Sequence, residues 1–125
     1  MRVTGEDMQL YAVTDTQWLN GKDFLSVIES VLANGATFLQ LREKNATHEE
    51  IVKKAMAIKP IAKKYGVPFV IDDDIYAAKE ADADGVHIGQ SDADYKTARS
   101  VLGEGKIIGM TVKTKEQAEN AIRTV

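Results

Sequence analysis

Residues 38–73 read FLQLREKNATHEEIVKKAMAIKPIAKKYGVPFVIDD, and this stretch predicts a strand, a helix and a second strand in succession. The apolar runs Phe38–Lys44 and Pro68–Asp73 have strand character, and each ends in polar residues. Between them, Thr47 and the glutamate three residues later form a capping box, and the helical periodicity that follows stops at Gly66. This order predicts two parallel strands joined by a right-handed crossover.

The same alternation extends over the rest of the chain. Three further runs of strand character are Leu10–Asp15, Gly85–Gln90 and Ile107–Val112, and stretches with helical periodicity separate them. We therefore expect an α/β fold of five parallel βα units in one domain that spans residues 1–125. Such units close either as a doubly wound open sheet or as a barrel, and a TIM barrel typically has eight units in about 250 residues.

Composition and charge exclude several classes of function. The chain has 125 residues, and 19 acidic against 16 basic side chains leave a net charge of -3, which disfavours nucleic-acid binding. It has no cysteine, so a disulfide scaffold, a thiol nucleophile and a zinc finger are excluded. Two histidines are too few for a His-rich metal site. Neither a signal peptide nor a membrane span is apparent, and we expect a cytoplasmic protein.

Three polar side chains share one face of the second strand. Gln40, Arg42 and Lys44 alternate along it, whereas Leu39 and Leu41 occupy the other face and are expected to pack under helices. Both faces of a strand in a parallel barrel are normally apolar, so two inward cations need partners. We interpret this face as an anion pocket for phosphate or pyrophosphate, in preference to a solvated edge strand.

Acidic residues follow the third and fourth strands. The third strand ends in Asp72, Asp73 and Asp74, and Asp92 follows the fourth. Adjacent parallel strands lie about 4.8 Å apart, so carboxylates at their carboxyl ends can converge. Carboxylate oxygens suit Mg²⁺, which is bound together with waters and substrate phosphates. The alternatives are that Asp92 caps the next helix and that the aspartate run is a polar loop.

Three other polar residues carry weaker signals. His87 alternates with Gly89 on the fourth strand, and a lone histidine there is more often a hydrogen-bonded interior residue than a catalyst. His48 lies in the first turn of the second helix, which predicts a surface position. Asp15 ends the first strand, and the sequence leaves open whether it joins the site or caps the following loop.

Five motifs, in order and with matching spacing, resemble the thiamine phosphate synthase family. They are LYAVTD (10–15), QLREK (40–44), VIDD (70–73), GVHIGQSD (85–92) and IGMT (108–111). The resemblance implies a TIM barrel, of which this chain carries about five of eight units. It also implies an enzyme, a transferase that couples hydroxymethylpyrimidine pyrophosphate with thiazole phosphate, with Mg²⁺ as the cofactor, to give thiamine phosphate and pyrophosphate.

The resemblance also assigns residues. It implies that Gln40, Arg42 and Lys44 bind the pyrimidine pyrophosphate and that Asp73 and Asp92 bind magnesium. The substrate-binding position Thr111 replaces a serine of the family and keeps the hydroxyl. The substrate-binding position Asp72 replaces an asparagine, so an amide donor becomes a carboxylate that accepts only. No protein nucleophile is expected, because the cations and carboxylates suit a dissociative reaction in which magnesium and the cations stabilise the departing pyrophosphate.

The sequence leaves two alternatives to the synthase function. The chain is either a synthase, a thiazole tautomerase-like homologue, or a non-catalytic barrel fragment that binds pyrophosphate and needs a partner chain. The thiazole phosphate site, which the family builds from later strands, has no counterpart among the five units.

The partners are expected to be small-molecule substrates, not nucleic acid or membrane. Because the first and fifth strands would be sheet edges, we expect a homo-oligomer, specifically a homodimer through strand five and the last helix.

Overall fold

A computed structural model describes residues 2–90 and 94–124, in which five strands alternate with five α-helices. The strands are β1 (Tyr11–Val13), β2 (Phe38–Leu41), β3 (Phe69–Asp72), β4 (Gly85–Ile88) and β5 (Ile107–Met110). The helices are α1 (Phe24–Ala33), α2 (His48–Lys64), α3 (Ile75–Glu80), α4 (Tyr95–Leu102) and α5 (Lys115–Thr124), and a short 3-10 helix spans Thr16–Trp18. The prediction of five βα units is confirmed.

The five strands form one parallel sheet in the order β1-β2-β3-β4-β5. Each strand therefore pairs with its neighbour in sequence. A doubly wound sheet reverses its strand order at a switch point, and this sheet does not, so the order is that of a barrel segment. The register pairs Gln40 with Val70 and Asp72 with His87, which brings the carboxyl ends of β2, β3 and β4 together at one edge.

Side chains at the helix starts fix where the helices begin. Thr47 Oγ1 accepts a hydrogen bond from the Glu50 N–H at 3.2 Å, which confirms the predicted start of α2. Helix α4 is capped by Asp94, whose carboxylate accepts from the Thr97 N–H at 2.7 Å. The alternative in which Asp92 caps this helix is therefore wrong, because the cap is Asp94; Asp92 itself lies outside the described residues.

The sheet buries a different set of side chains on each face. Leu39 and Leu41 belong to the large cluster between the sheet and the helices, as the alternation along β2 predicts. On the other face, Phe38, Val70 and Ile107 form a smaller buried cluster. All four residues of β2 are buried, as expected for a strand of a parallel barrel.

The inner face changes from apolar to polar along the strand direction. In β2 the inward positions are Phe38 and Gln40, and Arg42 follows directly after the strand. In β3 the inward positions are Val70 and Asp72. Apolar side chains thus fill the inner face at the amino end of the sheet, and polar side chains lie at its carboxyl end.

Among the described residues, no helix combines the length and the apolar character that crossing a membrane requires.

Candidate functional site

A pocket of about 490 Å³ opens at the carboxyl edge of the sheet. Five of the seven residues predicted to bind substrate or metal line it: Arg42, Lys44, Asp72, Asp73 and Thr111. Among the described residues, four more line it: Gly89, Gln90, Lys113 and Gln117. Ligand sites of parallel barrels lie at this edge, where loops follow the strands.

Two cations and two carboxylates face each other in the pocket. The carboxylate of Asp72 lies 3.9 Å from Arg42 Nε and 3.8 Å from Lys44 Nζ, and Lys44 Nζ lies 3.6 Å from Asp73. These distances are too long for hydrogen bonds, so the contacts are loose ion pairs. Because the Arg42 and Lys44 side chains are 42% and 55% exposed, both cations remain accessible to an anion.

The backbone of Arg42 is held in place from β1. Thr14, which is buried, accepts a hydrogen bond from the Arg42 N–H through its hydroxyl oxygen at 2.9 Å. The same hydroxyl lies 3.3 Å from the Arg42 carbonyl, to which it donates. Thr14 thereby extends the pairing of β1 with β2 past the end of the strand and holds the backbone at Arg42.

Asp73 occupies a turn with unusual backbone geometry. Its φ angle is 66°, in the left-handed region that non-glycine residues rarely adopt. The Asp74 N–H donates to the Asp72 carbonyl at 2.8 Å across this turn, and the Asp73 N–H donates to the His87 carbonyl at 2.8 Å. Such conformations persist where neighbouring contacts hold them, and they cluster at ligand sites.

The fit of these residues to a magnesium ion can be tested on the carboxylates. Mg²⁺ takes one or two protein carboxylates and completes its shell with water and phosphate oxygens. Asp73 offers such a carboxylate at the rim of the pocket, beside Asp72. Asp92, the second predicted ligand, lies outside the described residues. Within the described part of the chain there is no cluster of three or more metal-binding side chains.

Gln40 lies below the pocket instead of lining it. Its side chain is buried, and its amide nitrogen donates to the Tyr11 hydroxyl at 2.9 Å. Burial raises the pKa of Tyr11 above its ordinary value, although the hydrogen bond with Gln40 opposes this effect. The pair forms a polar layer between the apolar cluster that contains Phe38 and the cations Arg42 and Lys44 of the pocket.

His87 is a hydrogen-bonded interior residue, as predicted, and its partner is a predicted site residue. Its Nε2 atom lies 2.7 Å from the Thr111 hydroxyl. Burial lowers the pKa of His87, and the negative charge of Asp72 offsets this only in part. The connection could have been expected from the sequence, because His87 pairs with Gly109 and Thr111 follows two residues later, just past the end of β5, where side chains share one face.

His48 connects the start of α2 to the loop that carries the aspartates. Its side chain is on the surface, as predicted, but its ring contacts two carboxylates, Asp74 Oδ2 at 2.7 Å and Glu80 Oε2 at 3.0 Å. These hydrogen bonds raise the pKa of His48. Asp74 also accepts from the Ala77 N–H and so begins α3.

Sequence reasoning gave no site role to Gln90, Lys113 or Gln117, which line the pocket, and it left open the role of Asp15, which is not among the lining residues. Lys113 adds a third cation to the lining, and its backbone N–H donates to the Gln117 side chain at 2.7 Å. A lysine just after an apolar strand is so common on protein surfaces that no signal distinguished it. Asp15 caps the 3-10 helix, because its carboxylate accepts from the Gln17 N–H at 3.1 Å.

Comparison with known proteins identifies the family. The family model described as "Thiamine monophosphate synthase" matches residues 10–124. The thiamine-phosphate synthase of Clostridioides difficile is 46% identical over 111 residues, which are 89% of this chain and 53% of that protein. The corresponding protein of Persephonella marina is 44% identical over 115 residues, which are 92% of this chain and 55% of that protein.

A solved structure agrees with the sequence relatives. The thiamine phosphate pyrophosphorylase of Pyrococcus furiosus superposes with a TM-score of 0.86 at 30% identity and matches 94% of this chain but 56% of that one. The chain thus spans about half the length of the relatives that it matches. The family model covers nearly all of the chain, and the fold and the motif order agree with it. The chain belongs to the thiamine monophosphate synthase family.

Proposed function

We propose that the chain carries the pyrimidine pyrophosphate site of a thiamine phosphate synthase. One observation supports this most directly: Arg42, Lys44 and Thr111 converge, with two carboxylates, on a single pocket at the carboxyl edge of the sheet. Cationic groups and a hydroxyl are the donors that a pyrophosphate needs. The names of the relatives support a synthase over the tautomerase-like alternative.

The reaction is a displacement at the methylene carbon of the pyrimidine. The bond from this carbon to the pyrophosphate oxygen breaks, and its electron pair leaves with the pyrophosphate. The lone pair of the thiazole nitrogen then forms the new bond to the carbon. Arg42 and Lys44 stabilise the negative charge that builds up on the leaving group, and Thr111 donates a hydrogen bond to it. No protein nucleophile takes part.

Magnesium is part of the proposal. Asp73 would hold the ion together with Asp92, and the bound ion would offset the charge of the departing pyrophosphate. Asp73 has the exposed carboxylate that this role needs. Lys44 Nζ lies 3.6 Å from the Asp73 carboxylate, so its charge would add to that of the ion at the same side of the pocket.

Calorimetric titration tests the proposal. The chain is titrated with pyrophosphate and with hydroxymethylpyrimidine pyrophosphate, each with and without magnesium. We expect binding of both ligands and a clear gain in affinity with magnesium, because the ion neutralises charge at Asp73 and on the ligand. Equal affinity with and without magnesium would contradict the metal assignment, and the absence of binding would contradict the proposed site.

Substitution of Arg42 tests whether this side chain contributes to pyrophosphate binding. Arg42→Ala should cost about 1.5–3 kcal/mol of binding free energy, the scale of a hydrogen bond to a charged group. Lys53→Ala is the matched control, since Lys53 is an exposed cation on α2 that does not line the pocket. A loss no larger than that of the control would show that Arg42 is a solvated edge residue.

A further inference from the structure

The hydroxyl of Thr111 has one proton and two competing uses for it. An anionic phosphate oxygen accepts hydrogen bonds and donates none, so Thr111 serves a pyrophosphate only if its own proton points into the pocket. The hydroxyl is also hydrogen bonded to His87 Nε2 at 2.7 Å. If Nε2 accepted the Thr111 proton, the hydroxyl would have no proton left for the ligand.

The location of the protons on the His87 ring decides between these uses. A charged ring has a proton on both nitrogens, and a neutral ring has one proton, on either Nδ1 or Nε2. Within residues 2–90 and 94–124, the hydrogen bond of the ring is the one through Nε2. A proton on Nε2 is used in this bond, whereas a proton on Nδ1 would face Gly109.

The ring lies in a space that a glycine leaves. A Cβ atom at Gly109 would lie 2.6 Å from His87 Nδ1, so a side chain at that position would collide with the ring. The backbone of His87 is also held, because its carbonyl accepts a hydrogen bond from the Asp73 N–H at 2.8 Å. His87 thus contacts the strand that carries Thr111 and the turn that carries the candidate metal ligand.

We propose that His87 is a positioning residue, which donates from Nε2 to Thr111 Oγ1 and so directs the Thr111 proton into the pocket. The proposal rests on the proposed function, because the pocket ligand is taken to be a pyrophosphate. His87 itself does not line the pocket, and it acts on the ligand through Thr111.

A double-mutant cycle separates this role from a structural one. Magnesium pyrophosphate is titrated calorimetrically into the wild-type chain, Thr111→Val, His87→Leu and the double variant. We expect Thr111→Val to lower the affinity about tenfold, the loss of one hydrogen bond to a charged group. His87→Leu should lower it less, and on the Thr111→Val background it should add no more than about a twofold loss, the limit of ordinary additivity.

The conservative variant His87→Gln should restore the affinity that His87→Leu loses. Its amide nitrogen can donate to Thr111, so the affinity should stay close to that of the wild type. If His87→Leu does not fold, His87→Asn replaces it, because the shorter amide no longer reaches the hydroxyl. Equal losses from the His87 substitution on both backgrounds would overturn the proposal, as would an unchanged affinity of Thr111→Val.

A second readout needs no ligand. Long-range ¹H–¹⁵N correlation spectra of the histidine rings report which nitrogen of His87 is protonated. We expect a proton on Nε2 in the free chain, and a proton on Nδ1 would overturn the proposal. A wild-type chain that binds no pyrophosphate would instead refute the proposed function, so the two failures are distinguishable.

Discussion

Asp72 is the side chain that opposes anion binding in this pocket. Its carboxylate is 12% exposed and lies within 4 Å of both Arg42 Nε and Lys44 Nζ. A pyrophosphate must therefore compete with Asp72 for the two cations and also approach its negative charge. Asparagine at this position would keep the shape of the side chain and remove the charge.

We therefore expect Asp72→Asn to raise the affinity for pyrophosphate by roughly three- to tenfold, the range of a partly screened charge pair. Calorimetric titration measures the change. Asp82→Asn is the matched control, because Asp82 pairs with Lys59 and Lys106 at the opposite end of the sheet. An affinity that falls in Asp72→Asn would mean that the carboxylate orients the cations instead of competing for them.

At the scale of the elements, His48 ties three segments together. It begins α2, contacts the Asp74 cap of α3 and also reaches Glu80 at the end of that helix. The turn of Asp73 directly precedes this cap, so the contacts of His48 hold the loop that carries the candidate metal ligand.

The stability of this arrangement should depend on pH. The pKa of His48 in the folded chain is raised above 6.5, its ordinary value, by hydrogen bonds to the two carboxylates. The stabilisation is therefore fully present below the ordinary pKa and is lost as pH rises through the raised one. We expect the difference in urea midpoint between the wild type and His48→Gln to shrink from about pH 6 to about pH 9. A difference that stays constant or grows with pH would contradict this.

Local patterns in the sequence predict most of the elements but not the contacts between them. The alternation of Gln40 with Leu39 and Leu41 predicts both faces of β2, because a strand has a period of two. The partners of His48 could not be predicted in this way, since they lie on another helix and depend on how α2 packs against α3.

The start of α4 shows a second limit. Asp92 and Asp94 are both suitable caps in front of the same helical pattern, and only the observed hydrogen bond to Thr97 distinguishes them. Lys113 shows a third limit, because a pocket lysine and a surface lysine look alike in one sequence. Gln40 lies on the expected face, but the sequence did not predict that its side chain would bond Tyr11 on the neighbouring strand instead of lining the pocket.

At the scale of the whole molecule, β1 and β5 are the edges of the sheet. Large apolar side chains are exposed near both: Leu10 and Val13 at β1, and Val112 and Ile122 at β5 and α5. No described residue of α5 is buried, and Ile122 is 78% exposed. Unpaired edge strands with apolar neighbours favour association with another chain.

The 125-residue polypeptide should therefore associate with itself at concentrations of tens of micromolar, through β5 and α5. Light scattering after size exclusion measures the mass. The paired substitutions Val112→Lys and Ile122→Lys should shift the mass toward the monomer, whereas Met56→Lys, at an exposed apolar residue on α2, should not. A monomeric mass for the wild type that does not change on dilution would contradict the prediction.

The strict chain order of the sheet has a kinetic consequence. Every strand pair joins segments separated by a single crossover, so each pairing closes one short loop. No strand pair in this sheet requires the two ends of the chain to come together. Folding can then begin at any βα unit and spread to the next, as it does along a repeat protein. In such a chain the central units β2, β3 and β4, which have neighbours on both sides, should exchange their amide protons last, and the outer units should open first.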